Sequence, residues 1–377
     1  MASMITREEF ARGFCVIVAL YSFSSLNSRF LRFLLLRKEV AIGIFFVICV
    51  YFYVRFLLKR YSSRIKGANL APSDPMRSFR FRPPQFLDIS LRHLPNKAQT
   101  WRWKHKNFAF FAARGLRPYM EDRFHYIHDP ASQNFSIFGI FDGHGGEFVS
   151  SYLEQNFATA IRRRLLWRIP LNTLASQRKD IVKEAIVQEV LKIDDYITEK
   201  LDARVTSFTG STLIAAILHR NRFLTIVNVG DSRAVACSPR GDAVPLSEDH
   251  KPSEPVERRR IENAGGFVTW DGVDRLQGIL AVSRAFGDTS LKRLGILTAL
   301  PDVQRVDLNL TPLRFLIVAS DGFWDVFSNQ AAIDAALVFL NDAQHASSWH
   351  LVSQHLVNAA LQRGSFDNVS VLVLKLD

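Results

Sequence analysis

From Asn107 onward, hydrophobic residues fall into short runs bounded by glycine, asparagine or charged residues. Apolar runs of roughly four to eight residues are typical of buried β-strands. The pattern predicts strands over 108–113, 135–141, 212–218, 223–229, 234–237, 315–319 and 369–376. Helical spacing of apolar residues predicts helices over 146–166, 180–204, 253–264, 330–341 and 347–362. Residues 107–377 are therefore expected to form one domain of mixed strands and helices.

The N-terminal region has a different pattern. An unbroken apolar run covers 40–54 and continues past Arg55 to Leu58. As a helix, 40–58 would be about 28 Å long, close to the thickness of the hydrocarbon core of a bilayer. This predicts a membrane-spanning helix; a long buried core helix is the alternative. Basic residues after the span place the C-terminal part in the cytosol.

A shorter apolar segment, 13–26, could be a second span, a re-entrant segment or an interfacial helix. Because no small-residue cleavage site follows it, we expect residues 1–60 to be an uncleaved anchor. The sequence does not specify the membrane; the endoplasmic reticulum is one candidate. Residues 61–106 are basic and contain five prolines, which predicts a linker. Trp101 and Trp103 indicate that part of it packs against the domain or lipid.

The basic charge is confined to this N-terminal region. Residues 1–106 hold 19 Lys and Arg against five acids, whereas residues 107–377 hold 29 against 31. A nucleic-acid-binding domain would carry its basic patch on the folded part, so we expect no nucleic-acid partner. The three cysteines, Cys15, Cys49 and Cys237, fit neither a disulfide framework nor a zinc site.

Acidic residues stand at the ends of several predicted strands. Asp142, Asp231, Asp321 and Asp367 each precede or follow such a strand, and Glu121-Asp122 form a further pair. Buried carboxylates repel one another unless a cation joins them. A set made only of oxygen ligands indicates Mg²⁺ or Mn²⁺ rather than zinc. The alternative for Asp142-Gly143-His144 alone is a solvated surface turn.

Five motifs occur in order along the chain. They are Met120-Glu121-Asp122, Phe141-Asp142-Gly143-His144-Gly145-Gly146, Gly230-Asp231-Ser232-Arg233, Ala319-Ser320-Asp321-Gly322-Phe323-Trp324-Asp325 and Asp367-Asn368. This set resembles the metal-dependent Ser/Thr protein phosphatases of type 2C, over about residues 107–377. The resemblance implies an α+β fold in which two packed, mostly antiparallel sheets are flanked by helices, an α-β-β-α sandwich.

The resemblance also implies roles for single residues. Asp142 would be shared by two metal ions, with Asp321 and Asp367 binding one ion. Glu121 and the carbonyl of Gly143 would bind the other ion, and Asp122 would reach its water. Asp231 and Asp325, with Asp321, would form a third, weaker site. Arg117 would grip the phosphate and His144 would act as the general acid. Residues 267–288 would be a mobile flap, in which Trp270 either shapes substrate access or packs locally.

The implied function is hydrolysis of phosphoserine or phosphothreonine in proteins by a water activated between two Mg²⁺ or Mn²⁺ ions. We expect the catalytic domain to be a monomer. Two alternatives stay open: a membrane-tethered scaffold with a phosphatase-like binding domain, and a phosphoesterase acting on small metabolites.

Overall fold

The computed structural model describes residues 87–90, 100–130, 134–168, 178–342 and 349–376. The predicted segments 13–26 and 40–58 lie outside these ranges. All of the described residues belong to the unit Pro83–Asp377. None of the helices in the described ranges combines the length and the apolar content needed to cross a bilayer.

The described strands form two six-stranded antiparallel sheets and two small ones. The first sheet has the order β1-β4-β5-β8-β9-β15, and the second has the order β11-β10-β16-β17-β3-β2. Strands β12 and β13 form a hairpin, and β14, β7 and β6 form a small sheet. The strands are β1 Leu87–Ser90, β2 Thr100–Lys104, β3 Phe108–Ala113, β4 Arg123–Asp129, β5 Phe135–Phe141, β6 Gly143–His144, β7 Gly210–Ser211, β8 Leu213–His219, β9 Phe223–Val229, β10 Arg233–Cys237, β11 Ala243–Pro245, β12 Val268–Asp271, β13 Val273–Leu276, β14 Phe286–Gly287, β15 Asp302–Asp307, β16 Phe315–Ala319 and β17 Val369–Lys375.

Helices connect the strands and cover the sheets. They are α1 Phe148–Arg168, α2 Arg178–Lys200, α3 Ala203–Thr206, α4 Pro255–Asn263, α5 Thr289–Arg293, α6 Asp321–Trp324, α7 Asn329–Asn341 and α8 Val352–Gln362, with a 3₁₀ turn at Trp349–Leu351.

Alternation of side chains along the central strands builds three hydrophobic layers. In β5, Phe138 and Ile140 point between the two large sheets, where they meet Phe108 and Phe110 of β3. The opposite face of the first sheet packs against α1 and α2. The opposite face of the second sheet packs against α7 and α8. This arrangement confirms the predicted α+β fold of two packed antiparallel sheets between helices.

Two strands precede residue 107. Strands β1 and β2 come from the predicted linker 61–106 and pair with β4 and β3. Trp101 is buried in the core between the sheets. Burial of the Trp101 indole favours the pairing of β2 with β3 at the edge of the second sheet. Residues 267–288, the predicted flap, contain the β12–β13 hairpin.

Candidate metal centre

Three aspartates from separate strand ends meet at one place in the sandwich. Asp142 lies between β5 and β6, Asp231 lies between β9 and β10, and Asp321 begins α6 after β16. Pairing of β10 with β16 brings the last two strand ends side by side. One carboxylate oxygen from each aspartate lies within 4.8 Å of the others. The convergence that sequence spacing could not establish is therefore present.

These acids are buried next to one another. Burial raises the pKa of Asp142 well above its usual range, and the neighbouring Asp321, Asp122 and Asp231 raise it further. The pKa of Asp321 is also raised, by burial and by Asp231, Asp367 and Asp325. Several carboxylates that each disfavour the charge of the next form a donor set suited to a hard divalent cation.

Asp122 lies deeper than the other acids. Its side chain accepts a 2.9 Å hydrogen bond from Ser320 Oγ, and Ser320 Oγ in turn accepts one of 3.0 Å from the Ser370 N–H. Burial nevertheless raises the pKa of Asp122 to about 6. The hydrogen bonds fix its orientation at the base of the cluster without cancelling the cost of its charge.

Two basic side chains reach the acidic group. Lys251 Nζ pairs with the buried Asp231 carboxylate. Burial disfavours the charged ammonium, but Asp231 outweighs it and raises the pKa of Lys251. Arg117 Nη2 lies 2.6 Å from Asp367 Oδ2, and its side chain is 54% exposed. The Arg117 guanidinium is therefore at the rim of the site and accessible to a ligand.

Asn368 joins the segment that carries Glu121 to the segment that carries Asp367, just before β17. The Glu121 N–H donates a 2.7 Å bond to Asn368 Oδ1. Asn368 Nδ2 donates to the carbonyls of Arg114, at 2.8 Å, and Tyr119, at 3.0 Å. These bonds hold residues 114–121 against β17 and so fix Arg117 and Glu121 beside Asp367.

A glycine at position 143 allows the backbone to approach Glu121. A Cβ at Gly143 would lie 2.6 Å from Ser150 Oγ and 2.7 Å from the Glu121 carbonyl oxygen. Ser150, in the first turn of α1, donates a 2.7 Å bond to that same carbonyl. A side chain at Gly143 would therefore separate it from Glu121.

His144 is held by an acid from a distant part of the chain. Its Nε2 lies 2.6 Å from Asp288 Oδ2, and the Asp288 side chain is only 4% exposed. Asp288 has a left-handed backbone, with φ of +45°. A Cβ at Gly210 would lie 2.1 Å from Asp288 Oδ2 and 2.3 Å from His144 Nε2. The small sheet β14-β7-β6 thus fixes the imidazole through a close approach that glycine allows.

The structure brings Asp122, Asp142, Asp231 and Asp321 into one cluster, with Asp325 and Asp367 near enough to raise the pKa of Asp321. Arg117 contacts Asp367, whereas His144 contacts Asp288. Their individual roles as metal ligands or catalytic groups stay predictions. Sequence reasoning missed Lys251 and Asp288. Their only signals were a charged segment after a strand, at 248–251, and an acid after glycine, at 287–288.

The α-β-β-α sandwich and the carboxylate cluster where its strands end fit the metal-dependent phosphatases that the sequence motifs resemble. A family profile described as "Protein phosphatase 2C" matches residues 106–369. The chain therefore belongs to the protein phosphatase 2C family, which depends on Mg²⁺ or Mn²⁺, and it is a protein serine/threonine phosphatase.

Similar proteins agree with this assignment. Protein phosphatase 1L of Bos taurus is 35% identical over 364 residues, which cover 93% of this chain and 95% of the relative. Probable protein phosphatase 2C 11 of Arabidopsis thaliana is 40% identical over 72% of this chain and 67% of its own length. The crystal structure of serine-threonine phosphatase 2C from Toxoplasma gondii has the same fold, with a TM-score of 0.63, 24% identity and coverage of 78% of this chain and 99% of that one.

Proposed function

We propose that the chain is a membrane-anchored protein phosphatase with a cytosolic catalytic domain that hydrolyses phosphoserine and phosphothreonine at a two-metal centre. The observation that supports the metal centre is the convergence of Asp142, Asp231 and Asp321 within 4.8 Å. Asp142 would be shared by the two ions, because its carboxylate is close enough to those of Asp122, Asp231, Asp321 and Asp367 for each of them to raise its pKa. The remaining proposed ligands are Glu121, Asp122, the Gly143 carbonyl, Asp321 and Asp367, with Asp231 and Asp325 at a third, weaker site.

Mg²⁺ or Mn²⁺ bound there would lower the pKa of a bound water and neutralise charge that develops on the phosphoryl group. Arg117 binds the phosphate, since its guanidinium is exposed beside the cluster and offers two parallel donors. It exchanges its bond to Asp367 for the bond to the substrate. The acids of the cluster would hold the cations in a buried, preorganised setting beside the phosphoryl group.

His144 donates the proton to the leaving seryl or threonyl oxygen. Because Asp288 engages Nε2, the nitrogen that would face the substrate is Nδ1. A positioned general acid contributes about 10²- to 10⁴-fold. The effect would be greatest for substrates with poor leaving groups, such as the seryl and threonyl alkoxides.

The proposal is tested with the full chain purified in detergent. Phosphate release from a phosphothreonine peptide is measured with Mn²⁺ and again with EDTA. Hydrolysis that requires Mn²⁺ supports the proposal, whereas absence of hydrolysis in both conditions would identify a scaffold. A small metabolite phosphate ester that competes better than the peptide would identify a phosphoesterase for small molecules.

The membrane anchor rests on the apolar run 40–58 and the basic residues that follow it. The similarity to the bovine relative covers 93% of this chain, so it extends beyond the phosphatase domain into the N-terminal region. Deletion of residues 1–60 should move the protein from the membrane to the soluble fraction of cells. A control variant with a scrambled but equally apolar 40–58 should stay in the membrane. In intact membranes, protease added from the cytosolic side should degrade the catalytic domain.

A further inference from the structure

Three large apolar side chains are exposed beside Arg117. Leu116 is 75% exposed, Tyr119 73% and Phe366 72%. We name this set the apolar rim. Leu116 is the direct neighbour of Arg117, and Phe366 is the direct neighbour of Asp367, with which Arg117 pairs.

Direct contacts bring the two segments of the apolar rim together. The Tyr119 carbonyl accepts a hydrogen bond from Asn368 Nδ2 at 3.0 Å. Gly115, which precedes Leu116, approaches the Asp367 carbonyl so closely that a Cβ there would lie 2.1 Å from the oxygen. Both contacts fix the backbone of these two segments. The side chains of the rim residues nevertheless project into solvent.

The apolar rim flanks the pair of Arg117 and Asp367 in the sequence, because each rim residue lies within two positions of one of them. Arg117 suits an anionic group, and Leu116 and Tyr119, on either side of it in the sequence, suit apolar ones. In an extended peptide, successive residues are about 3.3 Å apart, so positions one or two residues from a phosphorylated residue held at Arg117 lie within about 7 Å of it. A grouped set of exposed apolar side chains next to a charged anchor marks an interaction surface.

We propose that the apolar rim binds apolar side chains within two residues of the phosphoserine or phosphothreonine of a protein substrate. The inference rests on the proposed function and names its substrate class: phosphorylated segments with apolar flanks. The Arg117 guanidinium binds the phosphate, and burial of the flanking side chains against Leu116, Tyr119 and Phe366 gives the selectivity.

The test compares two phosphothreonine peptides of equal length and net charge. One has leucine at the two positions on each side of the phosphothreonine, and the other has serine there. With Mn²⁺ and the full chain, kcat/KM should be about tenfold or more higher for the leucine peptide. The triple variant Leu116→Ser, Tyr119→Ser, Phe366→Ser should reduce this ratio to within about threefold of unity.

Matched controls separate selectivity from damage. Leu310→Ser and Val338→Ser also remove exposed apolar side chains, which are 81% and 72% exposed, and should leave the ratio unchanged. Phe366→Leu, as a conservative replacement, should retain more of the preference than Phe366→Ser. The ratio is insensitive to the fraction of active enzyme, so partial loss of protein does not imitate the expected result.

The outcomes also separate this inference from the proposed function. Hydrolysis of neither peptide would contradict the proposed function. Equal hydrolysis of both by the wild-type chain, or an unchanged preference in the triple variant, would overturn the role of the apolar rim and leave the phosphatase function standing.

Discussion

Two groups of acids in the domain lie in opposite electrostatic surroundings. In α4, Glu257 accepts hydrogen bonds from Arg284 Nη2 at 2.6 Å, Arg260 Nη2 at 3.0 Å and Ser283 Oγ at 2.7 Å. Although burial opposes its charge, these donors lower the pKa of Glu257 to about 2. Asp302 has a pKa of about 2 for a similar reason, with His250 and Arg284 as partners. We name Glu257 and Asp302 the paired acids, because Arg284 pairs with both.

In the metal centre, the nearest charged groups around Asp142 are other acids, and its pKa is raised instead. The chain thus supplies arginines to one group of buried acids and acids to the other. Basic side chains of the same fold balance the charge of the paired acids. The acids of the metal centre are balanced only when a cation binds from solution. Replacing one of these acids is therefore expected to raise the stability of the metal-free protein and to lower its activity.

The largest expected effect separates activity from stability at the metal centre. Asp321→Asn should lower kcat/KM by roughly 10³-fold or more, since a metal ion contributes several kcal/mol to the transition state. The same variant should unfold at a higher temperature than the wild type in EDTA, because one of the mutually repelling charges is gone. Phosphopeptide hydrolysis and calorimetry measure the two effects.

Asp271→Asn, at the exposed tip of the β12–β13 hairpin, is the matched control. It should change neither quantity. An Asp321→Asn enzyme with wild-type turnover would contradict the assignment of this aspartate to the metal centre.

The paired acids should show the opposite sign. Arg284→Met leaves Glu257 buried without its closest donor, and the loss of one partner of a buried pair typically costs about 3–5 kcal/mol. We expect a fall in unfolding temperature of roughly 10 °C, with or without Mn²⁺.

Arg258, on the same helix as Glu257, offers a matched comparison with Arg284. Its Nε lies 3.2 Å from Glu262 Oε1 in an exposed pair. Arg258→Met should cost about 0.5 kcal/mol or less. Equal losses in the two variants would show that burial does not distinguish the pairs.

The sequence predicted the interior of the fold better than its edges. Strands such as β5 and β17 are buried on both faces, so they appear as continuous apolar runs. The edge strand β15, DVQRVD, has partly exposed faces and alternating charges, which hide it from an apolar pattern. The edge strand β2, TWRWK, was assigned to the linker for the same reason, because exposed polar residues alternate with its tryptophans.

At the site, local motifs identified acids but not their partners. Asp142, Asp231 and Asp321 follow strands and precede or follow glycine, which made them visible. The partners His144 and Asp288 are 144 residues apart in the sequence, so only the fold brings them together. Lys251 is 20 residues from Asp231 and lies in a loop that has no periodicity. Long-range ion pairs of this kind depend on tertiary geometry and leave no local pattern.

A pH series distinguishes the two groups without a substitution. The pKa of Asp122 is raised from 3.8 to about 6, so the native state holds more protons than the unfolded chain between these values. The free energy of unfolding of the metal-free protein should therefore fall as pH rises from about 4 to 6, by no more than about 3 kcal/mol from this group. The paired acids, with pKa values near 2, stay charged in the native state throughout this window. Since the unfolded chain binds more protons there, their contribution has the opposite sign and rises with pH.

Calorimetry at pH 5 and pH 7, with EDTA or Mn²⁺, measures this difference. The rise in unfolding temperature on adding Mn²⁺ should be greater at pH 7, because protons no longer compete for the carboxylates. An equal rise at both pH values would contradict the raised pKa of the cluster.

Apart from the Arg258 control, the smallest expected effect of a substitution concerns Lys251, the basic side chain that the fold places against the acidic group. Lys251→Met leaves Asp231 without its ion pair, as Arg284→Met does for Glu257. Because the buried Asp231 carboxylate loses its partner, we expect a cost of about 1–2 kcal/mol in EDTA. Added Mn²⁺ should recover this loss in Lys251→Met and should recover none of it in Arg284→Met. A cation from solution can replace the lysine because it binds where the negative charge is concentrated, whereas the paired acids offer it no unsatisfied charge. Recovery in both variants, or in neither, would contradict the distinction between the acids of the metal centre, which bind a cation, and the paired acids, which arginine neutralises.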